Sequence, residues 1–155
     1  MKKGMIILSL CAAVIVVLSQ QKAPAKAPVR APVKAAPAPV STLAASVARG
    51  NIVYKKVCLS CHMADGGGVP RMNPPLMQTS YVTGDKSKLI YIVLKGMNDR
   101  VPIEDDYYSN TMAAHADLSD LQVADVLTFV RNSFGNKATA VTPAEVKIVR
   151  SGGHK

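Results

Sequence analysis

The run Cys58-Leu59-Ser60-Cys61-His62 is the part of this chain best suited to chemistry. Three chemistries use two thiols at this spacing. In covalent haem attachment, one helical turn presents both sulfurs to one edge of a porphyrin, where they add to its two vinyl groups. The next side chain, His62, then reaches the iron. A structural zinc needs two more ligands at compatible spacing, whereas the other histidines, His115 and His154, are far apart and unpaired in sequence. A thioredoxin-like dithiol needs a βαβ surround, but here a helical pattern precedes the motif and a Gly/Pro-rich stretch follows it. Covalent haem is therefore the favoured reading. One motif implies one haem per chain.

The flanking segments must position these groups. Upstream, Val47, Gly50, Ile52, Val53, Tyr54 and Val57 follow helical spacing into Cys58. Gly50 weakens that helix intrinsically, which points to close approach by another helix. Downstream, Ala64 to Arg71 holds three consecutive glycines, able to turn tightly or to pass close to a flat ligand. The stretch lacks the Gly-Lys-Ser/Thr ending of a phosphate loop. Asn73-Pro74-Pro75-Leu76 follows, rigid and without amide donors at either proline. Its carbonyls remain free to hold the second ring nitrogen of a ligating histidine.

Further on, Asp85 to Lys95 reads as a short helix with Leu89, Ile92 and Val93 on one face and Gly96 as terminator. Residues 97 to 117 show no period and read as a loop. Ser119-Asp120-Leu121-Gln122 is a capping box opening the strongest helix, with Val123, Val126, Leu127 and Val130 at helical spacing. Thr142-Pro143-Ala144-Glu145 is a second capping box, leading a short helix to about Arg150.

The pattern resembles the small single-haem class I cytochromes c of bacteria. Gly50, Tyr54, Cys58, Cys61, His62, Gly66, Gly68, Pro70, the Asn73–Leu76 segment, Met112 and the stretch from Leu118 through Asn136 carry the resemblance, over about residues 42 to 136. It implies an all-α fold, a small helical domain wrapped around one covalently bound haem. It also implies that the first and last helices cross near Gly50, Tyr54 and Phe129, and that Pro74 holds His62. The ending of the chain is similar to cytochrome domains found beside periplasmic dehydrogenases, reductases or oxidases, which are the implied redox partners.

The second iron ligand decides the function class, since a closed face gives an electron carrier and an open one allows peroxide or gas chemistry. Met63 adjoins His62, Met72 and Met77 flank the Pro pair expected on the His62 side, and Met97 directly follows a helix stop. Met112 is separated from His62 by enough chain to wrap the ring, and precedes the final helix of the resemblance. The family usually has Pro after this Met, whereas Ala113-Ala114-His115 follows here, leaving His115 as the rival. The expected site is thus Cys58, Cys61, His62, Pro74 and Met112, with His62 and Met112 on the iron.

Composition and charge bound the rest. The chain has 155 residues, a formal charge of +9, 48% hydrophobic and 5% aromatic residues, and no Trp. All 10 acidic residues lie after position 64, while Lys2, Lys3, Lys22, Lys26, Arg30 and Lys34 precede them, so the basicity belongs mainly to the N-terminal region. Nucleic-acid binding loses its support. A core with two Phe is thin, and a porphyrin supplies the missing apolar area. Residues 1–19, with Lys2-Lys3 before the apolar run Met5 to Leu18, read as a signal peptide or N-terminal anchor. Cys11 falls within that run, which leaves no several-disulfide framework. Residues 20–41 form an Ala/Pro/Lys-rich linker, extended at about 3.1 Å per residue. A cytochrome domain over 42–136 and a tail over 137–155 complete the layout. The expectation is a periplasmic protein, tethered to the membrane if the leader is retained. It would transfer electrons and catalyse nothing itself; a peroxide- or gas-reactive haem, or a permanent dehydrogenase subunit docked through the tail, are the competing readings.

Overall fold

The computed structural model describes residues 42–100 and 102–153. The expected leader and linker lie outside the described residues. Helix α1 (Leu43–Val57) begins where the Thr42 hydroxyl accepts from the Ala45 amide at 3.3 Å. Its buried face is Ser46, Gly50, Val53 and Tyr54, the spacing of one helical stripe. Ile52, placed with that stripe from the sequence, is 57% exposed. A single turn, α2 (Leu59–His62), follows almost without a break. Two further helices come before the middle of the domain. They are α3 (Ser80–Thr83), whose N-cap hydroxyl is Thr79, and α4 (Lys86–Lys95), capped by Asp85 and ended by Gly96 at φ 76°.

Helix α5 (Asp120–Arg131) carries the capping box read from the sequence, with Ser119 and Gln122 bonding reciprocally. It is buried on nearly every side, and its polar positions are satisfied individually. Asp125 accepts from Ser46 Oγ at 2.5 Å and from Arg49 Nε at 2.6 Å, which ties α5 to α1. Thr128 Oγ1 donates to Val141 O at 3.2 Å and accepts from Val141 N at 3.0 Å. Arg131 donates to Val82 O at 2.6 Å and to Thr139 O at 2.8 Å, joining α3 and the following chain to the end of α5.

Helix α6 (Pro143–Arg150) has its own complete capping box. The segment after 136, expected as a tail, is part of the core: Val146 and Val149 are buried against α4 and α5. Lys86–Glu145 and Arg150–Asp120 ion pairs flank the contact. Val146 is fully buried, so Val146→Ala is expected to cost about 2 kcal/mol in chemical denaturation, the transfer of two methyl groups plus an unfilled gap.

Residues 97 to 117 are not the featureless loop expected. Strands β1 (Pro102–Ile103) and β2 (Asp106–Tyr107) form a two-residue hairpin, and Met97 pairs with Met112 through N–H···O bonds of 3.0 and 2.8 Å. Strands this short leave no alternation to read in the sequence. The bend places Glu104 and Asp105 at φ 46° and 67°. Among the described residues no helix is long and apolar enough to cross a membrane.

Candidate haem site

The junction of α1 and α2 sets the motif. Cys58 keeps a right-handed helical backbone as the last cap of α1. The amides of Cys61 and His62 both return to its carbonyl, at 3.1 and 2.9 Å. One turn therefore presents both thiols and the imidazole. Cys58 is half-buried and Cys61 exposed. Burial, with the neighbouring Cys61 thiol adding to it, pushes the Cys58 thiol up to about 11.

The turn is braced from below. The Tyr54 hydroxyl donates to Met63 O at 2.6 Å, and burial pushes that phenol up to about 12, so it stays a donor. Tyr54, Phe129 and Phe134 form an aromatic trio with ring centroids 5.3, 5.4 and 5.5 Å apart.

His62 is buried, and its Nδ1 lies 3.0 Å from Pro74 O. A carbonyl only accepts, so Nδ1 carries the proton and Nε2 keeps its lone pair. Desolvation lowers the His62 pKa; the Pro74 bond opposes this and nearby His115 reinforces it. The imidazole is thus neutral at neutral pH, the form that ligates a metal. Gly68, at φ 65°, makes room for this arrangement, because a Cβ there would sit 2.6 Å from Pro74 O. The close approach that Gly68 permits is to the protein's own backbone, and Gly66 makes room for the Phe134 ring in the same way.

Above the turn opens an apolar cleft. Its edge is Cys58, His62 and Pro74; α3 and α4 form one wall with Val82, Leu89 and Val93; Met97, Met112 and His115 line it as well. An outer cleft shares Cys58, His62, Pro74, Met97, Met112 and His115, and adds Cys61 with polar groups such as Asn110 and Tyr108. All five residues named from the sequence therefore face one connected pair of clefts. Met63, Met72 and Met77 are 45%, 48% and 44% exposed and line neither. Sequence position alone gives Met97 no role, yet it shares the cleft with Met112, to which an isolated β-bridge ties it. The wall from Thr79 to Val82 was also missed, although Thr79 is a recognisable capping residue.

The residues fit a haem. The cleft is bounded by the thiol-bearing turn. Its lining is apolar, its edge carries the two thiols, and its neutral imidazole is fixed in the ligating tautomer. The other chemistries find less: among the described residues no three His, Cys, Asp or Glu side chains group as a metal cluster, and the strands are too short for a βαβ unit.

Comparison with known proteins agrees. The cytochrome c family profile matches residues 47–134. The chain is 38% identical over 112 residues to the cytochrome c subunit of a quinone alcohol dehydrogenase from Gluconacetobacter polyoxogenes, an alignment covering 67% of this chain and 23% of that protein. It is 33% identical over 112 residues to the fructose dehydrogenase cytochrome subunit of Gluconobacter japonicus, covering 67% and 22%. It is 36% identical over 100 residues to the gluconate 2-dehydrogenase cytochrome c subunit of Pantoea cypripedii, covering 62% and 22%. The chain spans less than a quarter of the length of these relatives. With the profile running from α1 to just beyond α5 and enclosing the whole thiol-bearing turn, the chain belongs to the cytochrome c family, haem proteins that hold their cofactor covalently.

Proposed function

We propose that the protein is a one-electron carrier with one haem c per chain, attached through Cys58 and Cys61 and ligated by His62 and Met112. One observation carries the reading: a neutral imidazole, locked by Pro74 beside two thiols, faces the same apolar cleft as a methionine. When bound, the haem supplies reversible cycling between ferrous and ferric iron. The protein's own part is to hold and to exclude. Cys58 and Cys61 retain the cofactor irrespective of compartment. Pro74 O keeps the proton on Nδ1 of His62, so that ring presents a single lone pair. Val82, Leu89 and Val93 keep water from the cleft interior, which restrains the solvent rearrangement accompanying a change of charge. Met112 reaches the cleft from an isolated β-bridge in which its amide and carbonyl both bond Met97, a mount for a ligand that must not move between oxidation states.

The named relatives are cytochrome subunits of alcohol, fructose and gluconate dehydrogenases. A dehydrogenase is accordingly the proposed donor, in the periplasm, with the N-terminal segment as leader or tether. Lys55 and Lys56 are exposed at the end of α1 near the cleft edge and suit an acidic partner surface. Docking through α6 gains no support from its packing, because Val146 and Val149 face the core.

Absorption spectra of the purified oxidised and reduced protein, followed by extraction into acidified organic solvent, test the reading. The expected result is a haem spectrum with a weak far-red sulfur-to-iron band and pigment that stays with the protein. Colourless mature protein, or extractable pigment, would overturn it.

A further inference from the structure

Asn136 closes the Phe134-Gly135-Asn136 stretch noted in the sequence, and its side chain is buried. The amide nitrogen donates to Leu76 O at 2.8 Å and to Val130 O at 2.7 Å, and the amide oxygen accepts from Gln78 N at 2.6 Å. A buried asparagine that only capped α5 would need Val130 alone. Two of these three bonds instead clasp residues 76 and 78, which lie 60 and 58 positions away in sequence.

The clasped segment is the one that bears Pro74. Pro74 and Pro75 have no amide hydrogens, so between Asn73, whose amide and carbonyl both bond Val69 at 2.9 Å, and Leu76 N, bonded to Gly66 O at 2.7 Å, neither proline has an amide to anchor it. The direction of Pro74 O then depends on proline stiffness and on how firmly both flanks are held, Asn73 on one side and residues 76–78 on the other. That direction matters because hydrogen bonds weaken steeply with misalignment, and the bond to Nδ1 sets the basicity of a ligating imidazole.

We propose that Asn136 is a positioning residue for His62, acting through the 76–78 segment and the Pro74 carbonyl. The proposal rests on the reading of His62 as the proximal haem ligand. Asn136 reaches neither the cleft nor the imidazole; its effect is transmitted through the backbone. A looser Pro74 bond leaves the imidazole less electron-donating, which disfavours ferric iron and raises the midpoint potential.

The test compares holoprotein of three forms: wild type, Asn136→Leu, and Asn132→Ala. Asn132 Nδ2 donates to Thr128 O at 2.9 Å at the same end of α5, with no bond to residues 74–78, so its loss is the control for helix-end stability. Two quantities are read: solvent exchange of the His62 Nδ1 proton by NMR in the reduced form, and midpoint potential by voltammetry. Asn136→Leu is expected to speed the exchange by about tenfold or more, the scale of one lost hydrogen bond, and to raise the potential. Asn132→Ala should change neither. An Asn136→Leu protein that is less stable but keeps wild-type exchange and potential would overturn the proposal, as would an Asn132→Ala protein that shifts both equally. If Asn136→Leu yields no folded holoprotein, exchange in wild type under mild denaturant decides. The Gln78 amide proton and the His62 Nδ1 proton should open in one event, and His62 exchanging while Gln78 stays protected would refute the link. Wild-type protein without covalent, redox-active pigment would instead sink the haem reading on which the proposal stands.

Discussion

Gly50→Ala is expected to destabilise the protein by about 3 kcal/mol or more, well above a typical surface substitution. Helix propensity alone argues the reverse, since Ala is favoured over Gly by about 1 kcal/mol in a helix interior. Packing decides the sign. A Cβ on Gly50 would meet the Asp125 carbonyl, lying 2.6 Å from its carbon and 2.7 Å from Phe129 Cβ. Those atoms belong to the backbone and inner side-chain stem of α5 and have no rotamer through which to escape. The helices would have to separate, weakening the Ser46 and Arg49 bonds to Asp125 and the Tyr54–Phe129 ring contact together. Denaturant titration of the holoprotein checks this. An unchanged or higher midpoint would mean that the crossing is looser than its geometry states.

The same crossing illustrates what was legible in the sequence. A glycine inside an apolar helical stripe has few explanations besides close approach, and the capping boxes at Ser119 and Thr142 are local codes complete within four residues. Such signals depend on near neighbours, so they can be read without the fold. The two thiols and His62 belong to the same class: their spacing already constitutes one helical turn.

The remainder depends on contacts between residues far apart in sequence. That α6 belongs to the core follows from α4 and α5 lying beneath Val146 and Val149, and eight residues after a capping box carry no such information. The hairpin at 102–107 is too short to show a period, and Met97 meets Met112 only because the chain between them folds back on itself. Arg131 and Asn136 read as ordinary polar residues near a helix end. Their burial, and the carbonyls they hold across the domain, become visible only once α5 is surrounded.

Met112→Ala should remove the far-red sulfur-to-iron band and lower the midpoint potential by on the order of 0.1 V, a modest part of the ~0.8 V over which axial ligands set haem potentials. A thioether favours ferrous iron, so its loss shifts the balance toward the ferric form. Small exogenous ligands should then bind rapidly where the wild type resists them. Two neighbours make the experiment discriminating. His115 lines the same cleft and would give a lower-potential, two-imidazole site, in which case His115→Ala, and not Met112→Ala, would move the potential. Met97 lines it too, bridged through its backbone to Met112. A band that survives Met112→Ala but disappears in Met97→Ala would transfer the ligand role to that sulfur. A contact on the Met112 side argues for Met112: Met97 leaves directly from the Gly96 stop of α4, whereas Met112 closely follows Asn110, whose Nδ2 donates to Asn73 Oδ1 at 3.1 Å. The segment bearing Met112 is thereby tied to the loop whose Pro74 carbonyl holds His62, so the two proposed ligands are mounted on segments that brace each other.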